Sequence, residues 1–481
     1  MLLRSILSSC AVIAIFVTAG ACANGGGNNP TGSGGTGGSG GSGVCGSAAC
    51  EGIGTVCGYF GDACGDLIAC NWCQYAADPI PTSSAQLLAL SAAPNLQVVH
   101  VDGTNVFLST KGASWTTETV NSAPPTFVDI AQASDGSPWI VFGSGGVQVA
   151  HQANGSWTFD KLGTQASAAQ IALDTDGVPH VVWRGQDAMG YALYHSKWVG
   201  GAWTSELVTE RPAVGISFVL AGKDAHIAYF ATDTKELLWS KPGANGFDTE
   251  IVRSGQGGDN FTTAIAVDKD GEPHIAYIVQ QAGPDPFEYV TRKNGQWVTS
   301  VVASDVPSGG DFVRLLINAQ GIPVVSFIGE DAMLVAEKHD IGWVRQPVIP
   351  KCDGNTPFDM ALDATGTLTI AHHCGNEPAI LKRIDPWYPA TYLQACKDTA
   401  NAICETADQC GGALPCVYTE NGSSDCLASR LDCTFSFMDR ICGDATQDPK
   451  VIDACKTDAP LAKCSASDPG IALPTSCAAF F

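Results

Sequence analysis

Paired aspartates recur in short turns of the chain and could coordinate a metal ion. Asp174–Gly177 reads D-T-D-G and Asp268–Gly271 reads D-K-D-G. Carboxylate oxygens suit a hard cation such as Ca²⁺, but an EF-hand loop also needs a third acidic ligand and a glutamate at a fixed offset, and both are missing. We therefore expect each first aspartate to initiate a tight turn in which the glycine adopts a special backbone angle. Calcium binding is the alternative.

Histidines recur at the start of the strand that follows these turns. We assign four of them to one position of a repeat: His100, His180, His226 and His274. The period of two along a strand places each on the same face as a small residue, such as Ala276. If a neighbouring sheet covers this face, the histidines are buried, neutral and hydrogen-bonded. Symmetry-related metal sites are the alternative. Adjacent His372 and His373 point to opposite faces of a strand and cannot easily share a metal.

Motifs of well-known enzyme classes are missing from the sequence. It has no nucleophile elbow of the G-x-S-x-G type, no H-E-x-x-H pair and no phosphate-binding loop. We therefore predict no catalytic, cofactor-binding or metal-ligating residue, and no cofactor. A pair of carboxylates from distant parts of the chain stays open as a glycosidase site. The net charge of −23, without a basic patch, excludes nucleic acid as the expected partner.

A regular repeat organises the middle of the chain and must position these residues. A bulky aromatic residue follows a glycine or small residue in a context similar to G-x-W-x-x-E-x-V, at intervals of 42 to 50 residues. The anchors are Trp115, Trp157, Trp203, Phe247, Trp297, Trp343 and, without the glycine, Trp387. Apolar runs flank a D-x-D-G-x-P-H-like turn between the anchors, as in Ile171–Trp183 and Ile265–Tyr277.

Each unit predicts four short antiparallel strands, because Val, Ile and aromatic residues fill the runs and Gly, Pro and Asp fill the turns. Four strands in about 40 to 50 residues is the size of one propeller blade. Seven units between residues 84 and 392 predict a mainly β protein with a seven-bladed β-propeller. If the unit around Trp387 is not a blade, the propeller has six blades.

The repeats resemble those of bacterial surface propellers with P-H-I-A-Y-type motifs, as in Pro273–Tyr277. These are loosely grouped with sialidase-like and lectin-like propellers, and the resemblance implies architecture rather than activity. A sialidase needs clustered arginines, a Tyr–Glu pair, an aspartate and Asp-box turns. Ser134–Trp139 shares letters with an Asp-box but not its spacing. We expect the aromatic residues Trp183, Tyr229 and Tyr277 to fill the space between blades, and we assign no site to them.

The N-terminus is typical of an exported protein. Residues 1–21 predict a signal peptide, with Arg4 before an apolar stretch and the small residues Ala19–Ala21 at its end. Gly20-Ala21-Cys22 resembles the lipobox of bacterial lipoproteins, although Ala19 stands where leucine is usual. This resemblance implies a lipid on Cys22, a membrane anchor, and a location at the outer membrane or cell surface. Plain secretion is the alternative. Residues 22–44 are rich in glycine and serine and predict a flexible tether.

The twenty cysteines indicate an oxidising compartment. Each segment after Cys22 holds an even number, so we predict disulfides within each segment. Residues 45–75 form a module with Cys45, Cys50, Cys57, Cys64, Cys70 and Cys73. Zinc binding through Cys70 and Cys73 is the alternative for this module. Its aromatic residues Tyr59, Phe60 and Trp72 either bind a ligand or cover the disulfides.

Two further groups of cysteines follow the module. Cys352 and Cys374 form an isolated pair, which we expect to bridge the segments flanking the first strands of the last blade. Residues 393–481 form a ten-cysteine, partly helical domain with Cys396, Cys404, Cys410, Cys416, Cys426, Cys433, Cys442, Cys455, Cys464 and Cys477. We predict helices over Cys396–Cys410 and Ser424–Ala445, because Cys426 and Cys433 are seven residues apart and would share a helical face.

Taken together, the motifs favour a surface-displayed binding or adhesion protein whose ligand is a glycan or a surface protein. Repeated loops around a rigid scaffold suit recognition, and equivalent weak contacts gain affinity through avidity. A glycan-active hydrolase or lyase of sialidase-like architecture is the alternative. An enzyme would gather acids and arginines with shifted pKa values at one end of the central channel. A binding protein would instead present aromatic and amide groups between blades.

Overall fold

Short antiparallel strands fill nearly all of the chain that the structure describes. The computed structural model describes residues 58–61, 67–69 and 72–388, with short gaps in several loops, and short pieces between residues 398 and 472. Most strands belong to sheets of four neighbouring strands. The second strands, such as Pro273–Val279, are apolar apart from the repeated histidine, because neighbouring sheets cover both of their faces.

The strands follow one another regularly along the sequence. The N-terminal strands are β1 (Tyr59–Gly61), β2 (Leu67–Ala69) and β3 (Trp72–Pro79). Blades one and two contain β4 (Leu88–Ser91), β5 (Leu96–Asp102), β6 (Asn105–Lys111), β7 (Trp115–Asn121), β8 (Val128–Gln132), β9 (Pro138–Gly143), β10 (Val147–Ala153) and β11 (Ser156–Gly163). Blades three and four contain β12 (Ala166–Leu173), β13 (Pro179–Asp187), β14 (Gly190–Val199), β15 (Ala202–Thr209), β16 (Ala213–Ala221), β17 (Asp224–Ala231), β18 (Glu236–Gly243) and β19 (Gly246–Arg253).

The remaining blades complete the propeller. Blades five and six contain β20 (Phe261–Val267), β21 (Pro273–Val279), β22 (Asp285–Lys293), β23 (Gln296–Val306), β24 (Val313–Ile317), β25 (Pro323–Ile328), β26 (Ala332–His339) and β27 (Gly342–Pro350). Blade seven contains β28 (Phe358–Leu362), β29 (Leu368–His372) and β30 (Ala379–Tyr388), together with β3. The structure thus confirms the predicted seven-bladed propeller.

The seven blades form a closed ring around their first strands. The first strand of each blade contacts the first strand of the next, and β28 contacts β4. Apolar clusters fill the spaces between blades. Val182 and Leu193 of blade three, for example, pack with Ile227 and Tyr229 of blade four. Burial of these faces drives the association of blades that would be unstable alone.

The outermost strand of blade seven comes from the N-terminal part of the chain. Strand β3 pairs antiparallel with β30, and Tyr75 lies opposite Arg383 as Trp343 lies opposite Lys338 in blade six. Three residues after Tyr75, Asp78 accepts a hydrogen bond from Trp115 Nε1 of blade one at 3.1 Å. The seventh anchor of the repeat is therefore Tyr75, and the assignment of Trp387 to this role was wrong. The position was missed because the anchor precedes the other six in sequence rather than following them.

Gln346 of blade six holds this N-terminal strand in place. Its Oε1 accepts a hydrogen bond from the backbone N–H of Cys73 at 3.0 Å, and its Nε2 donates to the carbonyl oxygen of Cys73 at 2.7 Å. Gln346 is buried. A single side chain thus satisfies both polar backbone groups of Cys73, which would otherwise be buried without partners.

The six-cysteine module continues the sheet of blade six. Strand β1 pairs with β27 at Tyr59 and Arg345, and β2 pairs with β1. Gly58 has φ +121°, and a Cβ atom there would lie 2.2 Å from the carbonyl oxygen of Arg345, so only glycine permits this approach. Tyr59 and Phe60 are buried. They pack in the interior and are not available as surface binding residues.

A disulfide joins Cys352 to Cys374, with 4.8 Å between the Cα atoms. It links the segment before β28 to the segment after β29. Cys73 and Cys404 are also disulfide-bonded. Most of the other predicted cysteines, including Cys22, lie outside the described residues. Of the described stretches, none forms a helix long and apolar enough to cross a membrane.

The described pieces of the C-terminal domain differ in part from the prediction. Residues 398–400 and 404 are helical, within the first predicted helix. The strands are β31 (Cys416–Tyr418), β32 (Ser424–Cys426), β33 (Lys463–Cys464) and β34 (Ile471–Ala472). The helix predicted from Ser424 was wrong at its start, because Cys426 lies opposite Cys416 in a short antiparallel pair. Val417 and Tyr418 favour this extended backbone.

We expect Gln346→Ala to lower the free energy of unfolding by roughly 2 to 4 kcal/mol, because it leaves a buried N–H and a buried C=O without partners. Chemical denaturation of the disulfide-intact protein measures this change. Gln320→Ala, at an exposed turn position, is the control and should have almost no effect. Equal stability of the two variants would show that the contact to Cys73 does not hold β3.

Candidate functional site

In several blades, the residue three positions after the aromatic anchor contacts the next blade. Glu118 accepts a hydrogen bond from Gln152 Nε2 at 2.9 Å, and Glu250 pairs with Arg292 at 3.1 Å. The same position in blade five holds Ser300, which accepts from Trp343 Nε1 at 3.2 Å. The recurring W-x-x-E pattern therefore encodes contacts between the outer strands of adjacent blades.

The junction of blades two and three departs from this plain arrangement. Trp139 of β9, Trp198 of β14 and Trp203 of β15 lie together there, each partly exposed. The rings of Trp139 and Trp198 are 6.1 Å apart, and those of Trp198 and Trp203 are 5.4 Å apart. His151 stacks on Trp139 at 4.3 Å. Asp160 accepts a hydrogen bond from Trp203 Nε1 at 3.4 Å. We call these five residues the tryptophan cleft.

Local sequence features position each side of the tryptophan cleft. Trp139 follows Pro138 and lies opposite Ala131, as His180 follows Pro179 and lies opposite Ala172. Blade two thus has tryptophan where blades three and five have the repeated histidine. Trp198 and Trp203 lie opposite each other across the tight turn at residues 199–202. Their rings are held by paired strands, so the cleft is rigid.

The tryptophan cleft combines apolar ring faces with a few polar groups. Such a combination is typical of small-molecule sites, in which aromatic walls supply contact area and polar groups fix orientation. Asp160 retains 27% exposure of its side chain and His151 retains 16%. Both can therefore reach hydroxyl groups of a ligand that packs on the tryptophan rings. The sequence analysis missed this site, although a tryptophan lies on each side of the Gly200-Gly201 turn.

The aspartates of the D-x-D-G turns bind backbone N–H groups of their own turns rather than a metal ion. Asp174 Oδ1 accepts hydrogen bonds from the N–H groups of Asp176 and Val178, each at 2.9 Å. Burial would raise the pKa of Asp174, but these donors and His180 outweigh it and lower the pKa. Asp268, Asn318 and Asp363 cap their turns in the same way. Within the described residues no group of three or more His, Cys, Asp or Glu side chains could hold a metal.

The repeated histidines are buried, and His180 and His274 join hydrogen-bonded chains across their blades. His180 Nδ1 shares a hydrogen bond with His195 Nε2 at 2.9 Å, and His195 Nδ1 shares one with Glu206 at 2.9 Å. His180 Nε2 lies 3.4 Å from Asp174 Oδ2. In blade five, His274 contacts Asp268 and the Tyr289 hydroxyl. These contacts match the expected buried and neutral role.

The assignment of His100 to the same repeat position was wrong. His100 lies opposite Leu88, whereas His180 and His274 lie opposite alanines. Its Nε2 shares a hydrogen bond with Ser109 Oγ, just as Trp183 Nε1 donates to Ser196 Oγ, so His100 occupies the Trp183 position, three residues after that of His180. The turn before β5 lacks the D-x-D-G pattern, so the spacing counted from other units does not apply there. A shift of three residues places His100 on the opposite face of the strand from His180.

The central channel contains two carboxylates and one arginine. Asp129 of β8 accepts a hydrogen bond from Ile171 N of β12, and Asp359 of β28 accepts one from Leu90 N of β4, both at 2.8 Å. Each aspartate therefore pairs with a free edge N–H of the next blade. Arg314 Nε donates to Asp359 at 2.6 Å.

Burial, and to a smaller extent the Asp359 carboxylate, raise the pKa of Asp129 to about 7, although backbone donors and Arg314 act in the opposite direction. Side-chain oxygens of both aspartates also accept hydrogen bonds from their own strands, at Ile130 and Met360. Their oxygens are thus occupied by backbone donors.

The aromatic residues Trp183, Tyr229 and Tyr277 are buried between blades, as expected.

We expect stability to fall as the pH drops from about 6.5 to about 4. Burial lowers the pKa of His100, His180, His226 and His372 to about 4, whereas unfolded histidine titrates near 6.5. In this window the unfolded chain takes up protons that the native protein does not bind, so unfolding is favoured. Thermal midpoints measured from pH 7.5 to 4 test this. His226→Phe should reduce the dependence, and a flat profile in the native protein would contradict it.

No protein-family model matches this chain, and no curated protein matches it. Solved structures with similarity include a lectin of Aleuria aurantia in complex with α-methyl-L-fucoside, with 15% identity, TM-score 0.41, and coverage of 57% of this chain and 98% of the lectin. A polysaccharide lyase bound to a sulfated glucuronate–rhamnose unit has 12% identity, TM-score 0.44, and coverage of 64% and 96%. A virginiamycin B lyase of Staphylococcus aureus has 9% identity, TM-score 0.47, and coverage of 65% and 100%. The similarity concerns the propeller fold alone.

Proposed function

We propose that this protein is a surface-displayed glycan-binding protein and that the tryptophan cleft is its binding site. The observation that carries this proposal is the meeting of three partly exposed tryptophans with His151 and Asp160 at one blade junction. Elsewhere in the described residues, the anchor aromatics contact the preceding blade without such a group of exposed rings.

Sugar rings match the chemistry of this cleft. The C–H face of a pyranose ring is apolar and packs on an indole ring, while its hydroxyl groups need hydrogen-bond partners at the edge. Asp160 accepts such hydrogen bonds, and the imidazole of His151 donates or accepts. A purely apolar ligand would cover the exposed part of the Asp160 carboxylate without offering it a hydrogen bond, which is costly. The ligand is therefore a ring with one apolar face and several hydroxyl groups.

Glycan-active catalysis is the second candidate. The raised pKa of Asp129 beside Asp359 and Arg314 is the observation that favours it, because an acid titrating near neutral pH suits general acid–base chemistry. Backbone donors already occupy the side-chain oxygens of both aspartates, which favours a role in holding the blades. Binding without turnover is therefore our first choice.

We expect Trp198→Ala to weaken glycan binding by roughly tenfold or more, because one aromatic wall of the cleft is lost. A glycan array with the disulfide-intact protein identifies the ligand, and calorimetry gives the affinity. Val199→Ala, at the neighbouring exposed position, is the control and should retain binding. Unchanged affinity in Trp198→Ala would refute the cleft as the site. Release of a glycan product that Asp129→Asn abolishes would favour the enzyme instead.

Display on the cell surface forms part of the proposal. The predicted signal peptide, the lipobox-like Gly20-Ala21-Cys22 and the Gly/Ser-rich tether support it. We expect Cys22→Ser to release the protein from the membrane fraction into the soluble fraction, because the thiol that carries the lipid is lost. Cell fractionation and the intact mass of the mature protein measure this. An unmodified mature N-terminus in the native protein would contradict lipidation.

A further inference from the structure

Blade three departs from the repeat near the end of its second strand. Arg184 lies five residues after Pro179, at the position that Phe230, Ile278 and Ile328 fill in blades four, five and six. Those three residues are buried and apolar. A charged side chain at this position cannot make the apolar packing contacts that its counterparts make in the other blades.

The guanidinium of Arg184 has no acidic partner among the described residues. Its Nε is buried and makes no hydrogen bond. Other arginines at the same end of the blades are paired, since Arg211 contacts Asp233 and Glu236, and Arg253 contacts Glu288. Buried donors are nearly always satisfied in native proteins, so a guanidinium that has no acidic partner among the described residues points to an external one.

An exposed aromatic ring lies against this arginine. The Cζ atom of Arg184 is 4.4 Å from the ring centroid of Tyr191, and Tyr191 is 43% exposed. Strands β13 and β14 pair as far as Asp187 and Gly190, so a rigid hairpin carries both side chains. Burial lowers the pKa of Arg184, which shows a partly dehydrated setting. The group stays charged, because arginine is not deprotonated in proteins.

We propose that Arg184 and Tyr191 form a second binding site, which takes the carboxylate or sulfate group of an acidic polysaccharide. The planar guanidinium donates two parallel hydrogen bonds to an oxyanion, which lysine cannot match. The Tyr191 ring fixes the guanidinium by stacking and offers a face to the adjoining sugar. The site lies at the end of blade three where β13 and β14 are joined, whereas the tryptophan cleft lies at the opposite end, beside the turn between β14 and β15.

The net charge of −23 does not forbid an anionic ligand here. At physiological ionic strength, exposed charges farther than about 8 Å are largely screened, so local groups decide the interaction. The proposal rests on the proposed glycan binding, but it uses different residues. The two sites can therefore fail separately.

The test compares oligosaccharides that differ only in charge. The native protein and Arg184→Gln are titrated by calorimetry with a polyuronate oligomer, a sulfated oligomer and a neutral oligomer that binds the tryptophan cleft. We expect Arg184→Gln to weaken binding of the acidic oligomers by roughly tenfold or more and to leave the neutral oligomer unaffected. Arg184→Lys should give an intermediate loss. Lys269→Gln removes one exposed positive charge beside a distant turn and should change neither.

A thermal measurement with inorganic sulfate separates binding from folding. Sulfate at a series of concentrations should raise the unfolding midpoint of the native protein more than that of Arg184→Gln, while sodium chloride at matched ionic strength should not discriminate between them. If Arg184→Gln weakens the binding of only the polyuronate oligomer or only the sulfated oligomer, the affected oligomer identifies the oxyanion that the site binds. Equal binding of the acidic oligomers by native protein and Arg184→Gln overturns the second site. A native protein that binds only the neutral oligomer also overturns it, while the tryptophan cleft stands.

Discussion

The pairing of β3 with β30 is the interaction on which the propeller depends. Blade seven has three strands from the end of the propeller and one from its beginning, so the sheet joins distant parts of the chain. Without β3, the outer edge of β30 would be unpaired. The junction with blade six would also lose the two hydrogen bonds between Gln346 and the backbone of Cys73. Each of the other blades relies on this closure, since a ring buries both faces of every sheet only when it is complete.

The fold was largely readable from the sequence, because local patterns encode most of it. The D-x-D-G turns, the alternating apolar runs and the aromatic anchors each describe one blade, and the structure confirms seven. The error at Trp387 has a physical cause. Tyr75 fills the seventh anchor position from the other end of the chain, and no local pattern indicates which distant strand will supply a missing partner. The error at His100 arose where the turn lost its aspartate.

The candidate sites were harder to predict, because they lie where the repeat breaks. Trp139 replaces a histidine in blade two, and Arg184 replaces an apolar residue in blade three. From sequence alone, one substitution in a repeat resembles ordinary drift. The structure shows that Trp139 meets Trp198 across a blade junction, and that Arg184 has no acidic partner among the described residues. Neighbouring blades thus combine a shared scaffold with separate departures from it.

The origin of β3 also has a kinetic consequence. Cys73 and its partner Gln346 are separated by 273 residues, and nearly the whole propeller must be synthesised before β3 finds β30. Contacts between such distant segments carry a large loop-closure cost and form slowly. During folding, six blades can therefore assemble while the seventh still lacks its outer strand, and an unpaired edge invites association with other chains. The last strand to be fixed in place is one of the first to be made.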